Sequence, residues 1–254
     1  MLSAKQSMSR WKAAGLHLLI SVIVAALVGS LIYFVWYPPP YFRIAGGSTL
    51  MPLIMGVDVV IGPCLTLAIF KSGKKGLRFD LTVIAVLQIA AFCYGMHTIA
   101  VARPVFVVAE IDRFVVVAGN QLDDKDLADA KQAEFSTRSW TGPRLVGVRV
   151  PKHGADAFAM AMSGIEGKDV EKFPKYYLPY SQIAEGVIAR AHPLASLATK
   201  RPDQARQIDD FVARYGNKMQ DFVYLPLQGR LQSFTMVLST QTRQPVAALA
   251  IDPW

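Results

Sequence analysis

A single carboxylate in an otherwise apolar stretch is the residue of this sequence whose chemistry most needs an explanation. Asp58 lies within residues 50–70, which hold no other charged side chain. A stretch of this length can cross a bilayer, and a carboxylate inside it costs about 2.5–3.5 kcal/mol on insertion scales. Asp58 therefore needs a polar partner, either in a neighbouring helix of this chain or in a membrane helix of another protein.

Two side chains of a later apolar stretch are the predicted neighbours of Asp58. At about 1.5 Å of rise per residue, Tyr94 lies at the depth of Asp58 and His97 lies within side-chain reach, whereas His17 falls nearer the cytoplasmic face. We interpret Asp58, Tyr94 and His97 as a candidate intramembrane polar site. Two roles stay open: Asp58 locks three helices together, or it contacts a polar group on a partner's membrane helix.

The sequence has no signature of a catalytic or metal site. It contains no Ser or Cys nucleophile motif, no glycine-rich phosphate loop and no metal-ligand spacing among its four histidines. We interpret His153 and His192 as surface or helix-end residues. We therefore expect no catalytic residue, no metal, no cofactor and no enzymatic activity.

The distribution of charge divides the chain into two parts. Residues 1–102 hold 8 Lys and Arg against 2 Asp and Glu, whereas residues 103–254 hold 19 against 17. The basic excess lies in short segments that flank apolar stretches and not on a folded domain, which argues against nucleic acid as a partner. The sequence thus predicts a transmembrane region at 1–102 and a separate domain at 103–254.

Three apolar stretches predict transmembrane helices at about 13–36, 50–70 and 81–101. The first stretch is longer than the apolar core of a signal peptide, so we interpret it as an uncleaved anchor. The N-terminus and a basic loop at 71–78 carry seven Lys and Arg on one side of the spans, Lys5 included, against two on the other. The positive-inside rule then predicts a cytoplasmic N-terminus and loop and an extracytoplasmic C-terminal domain.

Small residues predict where helix backbones can approach each other in the membrane. Ala25 and Gly29 lie four residues apart on the first span, and Gly62 and Pro63 break the second span one turn beyond Asp58. We interpret these four residues as a candidate helix-packing face.

Residues 103–254 predict an α+β domain. Strands are expected at 105–111, 114–118, 145–150, 222–227, 233–238 and 246–251, and helices at 121–134, 155–162, 181–190 and 202–215. A loop holds Tyr176, Tyr177 and Tyr180, which are candidate partner-binding aromatics, although such clusters more often pack on their own core. The predicted fold class is therefore a membrane protein with an N-terminal three-helix transmembrane bundle followed by an α+β extracytoplasmic domain.

Motifs spread over the whole chain resemble a known family. They include the segments 11–21, 56–66 and 74–80 and the triplets at 36–38, 102–104, 112–114, 142–144 and 252–254. In combination they resemble the type IV pilin accessory proteins of the TfpX/TfpZ kind. The resemblance implies a Gram-negative inner-membrane protein that assists a cognate type IV major pilin, as a pilin-specific chaperone or a modulator of assembly, without enzymatic activity.

The resemblance also implies separate tasks for the two parts. A pilin in the membrane has an apolar N-terminal helix and a globular head on the periplasmic side. We expect the spans to hold the pilin helix, through Ala25 and Gly29 or at the level of Asp58, and the outer domain to recognise the head. The alternative is a membrane-anchored extracytoplasmic ligand-binding or sensor module. A sensor would need a cytoplasmic output domain, and the predicted cytoplasmic segments are too short to form one.

Overall fold

The computed structural model describes residues 8–151, 153–215 and 218–254, so Lys5 lies outside the described residues. The chain forms two compact units. The first comprises the chain up to Val35 together with Gly47–Val101, and the second comprises Trp36–Gly46 together with Ala102–Trp254.

The first unit consists mainly of three helices that are long and apolar enough to cross a membrane. The first consists of α1 (Arg10–Leu31) and a π-helical turn (Ile32–Trp36), and a short helix, α2 (Tyr41–Ile44), follows it in the second unit. The second consists of α3 (Gly47–Gly56), a π-helical turn (Val57–Ile61) and α4 (Gly62–Ile69), and the third is α5 (Leu77–Ala102). The predicted fold class, three apolar helices followed by an α+β domain, is confirmed.

The π-helical turn that carries Asp58 has a cause in the sequence. Pro63 has no backbone N–H and cannot donate to the carbonyl of Val59, which removes one rung of the α-helical ladder. The turn before the proline widens accordingly, and Pro63 itself occupies the first turn of α4, where a missing donor is tolerated. Asp58 is thereby held near the middle of the second apolar helix, on an irregular turn.

One sheet of eight strands organises the second unit within the described residues. The strands are β1 (Pro104–Ala109), β2 (Phe114–Ala118), β3 (Arg144–Val148), β4 (Tyr177–Pro179), β5 (His192–Pro193), β6 (Phe222–Gln228), β7 (Ser233–Ser239) and β8 (Pro245–Leu249). Their order is β4-β3-β1-β2-β6-β7-β8, with β5 paired to β6. Pairing is antiparallel except between β1 and β3 and between β2 and β6, which are parallel.

Helices pack on both faces of this sheet: α6 (Asp124–Ala128), α8 (Ala184–Arg190), α9 (Leu194–Lys200) and α10 (Ala205–Tyr215) contribute buried side chains, whereas α7 (Gly154–Ile165) buries none. All six residues of β1 are buried, and successive residues point to opposite faces: Val107 and Ala109 pack in one apolar cluster, and Phe106 and Val108 in another. Burial on both faces explains why the central strands are continuous β-branched runs without polar alternation.

The segment between the first two apolar helices, Trp36–Gly46, is part of the core of the second unit. Tyr37 and Ile44 are both 0% exposed, and Ile44 packs among the buried side chains of the sheet. The amide of Gln232 donates to the carbonyl of Arg43 over 3.2 Å, which ties the segment to the start of β7. The sheet domain therefore draws on chain from two separate parts of the sequence.

The predicted helix at 121–134 is wrong over most of its length. Only Asp124–Ala128 is α-helical, and short 3₁₀ turns flank it. The guanidinium of Arg138 donates to the backbone carbonyls of Gly119 and Leu122, and the ammonium of Lys168 binds Asp123 and Asp126. These side-chain contacts from distant positions stabilise a compact loop, which the local polar pattern could not reveal.

Candidate functional site

A large cavity lies within the first unit, among the three apolar helices. Its volume is about 610 Å³, and its walls are mainly aliphatic, methionine and phenylalanine side chains. Along the first apolar helix the lining extends from Ala13 to Ile32, so the cavity follows most of that helix. A few polar side chains interrupt the apolar walls: His17, Ser21, Asp58, Thr66 and Gln88.

Asp58 lines this cavity with an unsatisfied carboxylate oxygen. Asp58 as a whole is half-buried. Its Oδ1 atom is fully buried and has no hydrogen-bond partner among the described residues. An unpaired buried acceptor costs about 1–3 kcal/mol, and more when it is charged. The carboxylate is therefore poised to accept a hydrogen bond from a group that enters the cavity.

Tyr94 and His97 do not join Asp58 in the structure. The side chain of Tyr94 is 76% exposed, His97 is also exposed, and neither residue lines the cavity. No hydrogen bond of the described residues links either side chain to Asp58. The three-residue site expected from depth along the helices is thus not assembled, because equal depth does not fix which way each side chain points around its helix.

His17 contributes to the site instead, with Thr66 and Gln88. Nδ1 of His17 lies 2.7 Å from Oγ1 of Thr66, which links α1 to α4. A Cβ on Gly62 would lie 2.0 Å from Nε2 of Gln88 and 3.1 Å from Nε2 of His17, so the glycine admits both polar side chains between the helices. The sequence analysis did not predict this cluster. A signal was present, because His17 and Thr66 each lie about one helical turn from the predicted cytoplasmic end of their span.

The candidate packing face is used inside the chain. Gly29, Gly62 and Pro63 are buried, and Ala25 lines the cavity. A Cβ on Gly29 would lie 2.8 Å from Cε of Met51 and 3.0 Å from that of Met55, so Gly29 receives side chains of the second apolar helix.

The three candidate tyrosines lie in the second unit, and two of them are core residues. Tyr177 is 3% exposed and Tyr180 is 5% exposed, whereas Tyr176 is half-buried. The Tyr177 hydroxyl donates to the carbonyl of Glu171, and the Tyr180 hydroxyl donates to the carbonyl of Arg243 over 2.9 Å. Burial raises the pKa of Tyr180 to about 12. Both rings therefore stabilise the domain from within.

A second cavity, of about 520 Å³, lies in the second unit beside the β1–β2 turn. Three carboxylates, Glu110, Asp169 and Glu171, line it together with the cationic side chains Arg113, Lys172 and Arg230. Burial, and next the negative charge of Glu171, raise the pKa of Glu110 to about 7, whereas Arg113 acts in the opposite direction. Burial also raises the pKa of Glu171. Within the described residues, no group of three or more His, Cys, Asp or Glu side chains could hold a metal ion.

Comparison with known proteins places the chain in a family. Residues 5–46 match the family described as "Fimbrial assembly protein FimB". These residues contain α1, whose side chains line the larger cavity, and the segment that carries Tyr37 and Ile44 into the core of the second unit.

Relatives from Dichelobacter nodosus extend the similarity over almost the whole chain. The chain is 33% identical to the fimbrial assembly protein of serogroup I and 32% identical to that of serogroup E1, in each case over 95% of both chains. It is 46% identical to the protein of serogroups C1 and C2 over 110 residues, which cover 42% of this chain and 83% of the relative. No solved structure matches. The chain belongs to the family of fimbrial assembly proteins.

Proposed function

We propose that this chain assists the assembly or stability of a cognate type IV major pilin, as a pilin-specific chaperone or modulator in the bacterial inner membrane. The relatives' names support a role in fimbrial assembly, and the resemblance to the TfpX/TfpZ accessory proteins supplies the pilin as partner. The apolar cavity among the three membrane helices is the observation that carries the proposal.

The length of the cavity suits a groove along one face of a membrane helix. The lining residues of the first apolar helix run from Ala13 to Ile32, which at 1.5 Å per residue is about 28 Å, close to the hydrocarbon thickness of about 30 Å. Side chains of all three helices form the walls, and Ile20, Met55 and Ile89 are among them. A helix in this position would exchange lipid contacts for close packing, which is what stabilises helix association in a membrane.

Asp58 supplies a polar contact at the middle of the cavity. In our proposal its free Oδ1 atom accepts a hydrogen bond from a donor on the pilin helix, which offsets the penalty of the unpaired carboxylate. A pilin helix without a donor at that depth would leave the penalty in place. Asp58 would thus contribute to the choice of pilin as well as to affinity.

The orientation follows from the charges. Lys71, Lys74, Lys75 and Arg78 lie between the second and third apolar helices, on the side of Arg10 and Lys12. From the positive-inside rule we infer that this side faces the cytoplasm and that the sheet domain lies in the periplasm, where pilin heads stand. Contact with the head there and with the helix in the membrane would act together through effective concentration.

Filling the cavity tests this function. Ala25 and Ala85 line the cavity, whereas their neighbours Ala26 and Ala90 are exposed and do not. In a strain that lacks the chain, Ala25→Phe or Ala85→Phe should restore fewer surface pili and less pilin than Ala26→Phe or Ala90→Phe. Equal restoration by all four variants, at matched protein levels, would argue against the cavity as the pilin site.

A further inference from the structure

We propose that Trp140 is a membrane-interface anchor, whose indole ring inserts into the headgroup layer of the bilayer at the level where the first and third spans end. This inference requires only that the apolar helices cross a membrane, and it is independent of the pilin.

Trp140 contacts two residues of its own unit that adjoin the first and third apolar helices in the sequence. Trp36 is the last residue of the first apolar helix, and its ring centroid lies 6.1 Å from that of Trp140. Arg103 directly follows the third apolar helix, and its guanidinium carbon lies 4.4 Å from the centroid of the Trp140 ring. Apolar helices end near the boundary between hydrocarbon and headgroups, so both neighbours place Trp140 at that boundary.

The loop that carries Trp140 is fixed from inside the domain. Nε of Arg103 donates to the carbonyl of Ser139 over 2.9 Å, and Nε of Arg138 donates to that of Gly119 over 2.9 Å. Arg103 is 6% exposed and Ser139 is 4% exposed, whereas Trp140 between these contacts is 64% exposed. A rigid, buried base therefore presents one large aromatic ring outward.

The chemistry of this arrangement fits a lipid interface better than water. A tryptophan side chain combines a large apolar ring with a single N–H donor, and it is enriched at the level of the headgroups for that reason. The guanidinium of Arg103 adds a cation–π contact that holds the ring in place.

Fluorescence quenching by brominated lipids tests the proposal. The full chain with Trp11, Trp36 and Trp254 replaced by Phe keeps Trp140 as its one tryptophan. In phosphatidylcholine nanodiscs brominated near the headgroup end of the acyl chains, we expect blue-shifted emission and a large loss of intensity. Lipids brominated near the chain ends should quench less, and iodide in the buffer should quench little.

The matched control carries its one tryptophan at position 215, through Tyr215→Trp with all four natural tryptophans replaced by Phe. Tyr215 is 44% exposed, and its ring packs 6.2 Å from that of Phe222, at the start of β6. β6 runs parallel to β2 and pairs with its start only through the last two residues of β6, whereas Pro104, which follows Arg103, pairs with Ala118 at the end of β2; the start of β6 therefore lies far along the sheet from Pro104. Brominated lipids should leave this emission unchanged, whereas iodide should quench it.

Two results would overturn the proposal. One is emission from Trp140 that responds to the quenchers as the control does. The other is emission that becomes shielded from iodide only when pilin is added, which would assign Trp140 to a protein interface. A spin label provides a second test if the variant with several Phe substitutions does not fold. A nitroxide is attached at Thr141→Cys, with Cys64 and Cys93 replaced by Ser, and its accessibility to relaxation agents is measured. Insertion predicts more collisions with oxygen than with a water-soluble nickel complex, and the reverse ratio would contradict it.

Discussion

His17 and Thr66 join the first and second apolar helices through a contact of 2.7 Å between Nδ1 and Oγ1. The two residues lie 49 positions apart, and Thr66 is 5% exposed. The contact fixes α4, and with it the irregular turn that carries Asp58, against α1. It is the polar link that holds one wall of the cavity in place.

A double-mutant cycle measures the strength of this link. We expect His17→Ala and Thr66→Val each to destabilise the helix bundle, with a coupling energy of about 0.6 kcal/mol and at most about 1.7 kcal/mol, as for other hydrogen bonds between membrane helices. Unfolding of the full chain in mixed micelles by a denaturing detergent gives the four free energies. Additive effects of the two substitutions would show that the contact contributes nothing.

Asp58→Asn separates the two roles open to the carboxylate. Because Oδ1 has no hydrogen-bond partner among the described residues, removing the charge should leave the bundle equally stable or stabilise it by about 1–3 kcal/mol. The amount of pilin that copurifies with the chain should fall at the same time. A variant that is clearly less stable and binds pilin normally would instead assign Asp58 to locking the bundle.

Gly229→Ala tests whether the segment Trp36–Gly46 is part of the sheet domain. A Cβ on Gly229 would lie 2.4 Å from Cγ1 of Ile44 and 2.5 Å from its carbonyl oxygen, and a backbone atom cannot move aside as a side chain can. We expect a loss of about 1–3 kcal/mol in the free energy of unfolding. Gly186→Ala is the control, because its Cβ would meet nothing within 4 Å. Equal stability of the two variants would contradict the packing described for Ile44.

The raised pKa of Glu110 predicts that stability depends on pH. Its ordinary value of 4.5 rises to about 7 in the folded domain, so the folded state keeps a proton that the unfolded state releases. The free energy of unfolding should therefore fall as the pH rises from about 4.5 to about 7 and level off above that range. Glu171, whose pKa is also raised, acts in the same direction.

Glu110→Gln checks this dependence, because the amide resembles the protonated acid. The variant should lose less stability between pH 5 and pH 8, roughly across the two pKa values, and should exceed the parent chain at the alkaline end. Thermal unfolding at a series of pH values measures the effect, with the exposed Glu166→Gln as control. Parallel pH profiles for the parent chain and Glu110→Gln would contradict the assignment.

Much of the fold could be predicted from the sequence, because its strongest signals are local. Length and apolar content indicate the three membrane helices, and β-branched runs indicate β1, β2 and β6–β8. The short strand β4 was not predicted, because Tyr177–Pro179 has no alternating pattern of its own and is extended through its pairing with β3. The helix expected at 121–134 was overridden by contacts from Arg138 and Lys168, which lie outside that segment.

The candidate site was predicted only in part. The lone carboxylate identified Asp58, but its neighbours depend on the rotation of each helix, which residue counts do not give. Tyr94 therefore points away although its depth is right, and His17 lines the same cavity although it was expected nearer the cytoplasmic face. The burial of Ile44 in the sheet domain has no local signal either, because it follows from tertiary packing against Gly229.

Photocrosslinking from neighbouring positions tests the central claim, that the cavity holds a pilin helix, most directly. Ile20 and Ile89 line the cavity and are 54% and 63% exposed, whereas Leu19 and Leu87 are 57% and 64% exposed and do not line it. A photoreactive amino acid at each position meets similar surroundings apart from the cavity. Our account predicts crosslinks to the N-terminal helix of pilin from positions 20 and 89 and far weaker ones from 19 and 87. Equal crosslinking from all four positions, or crosslinks from 19 and 87 alone, would contradict it.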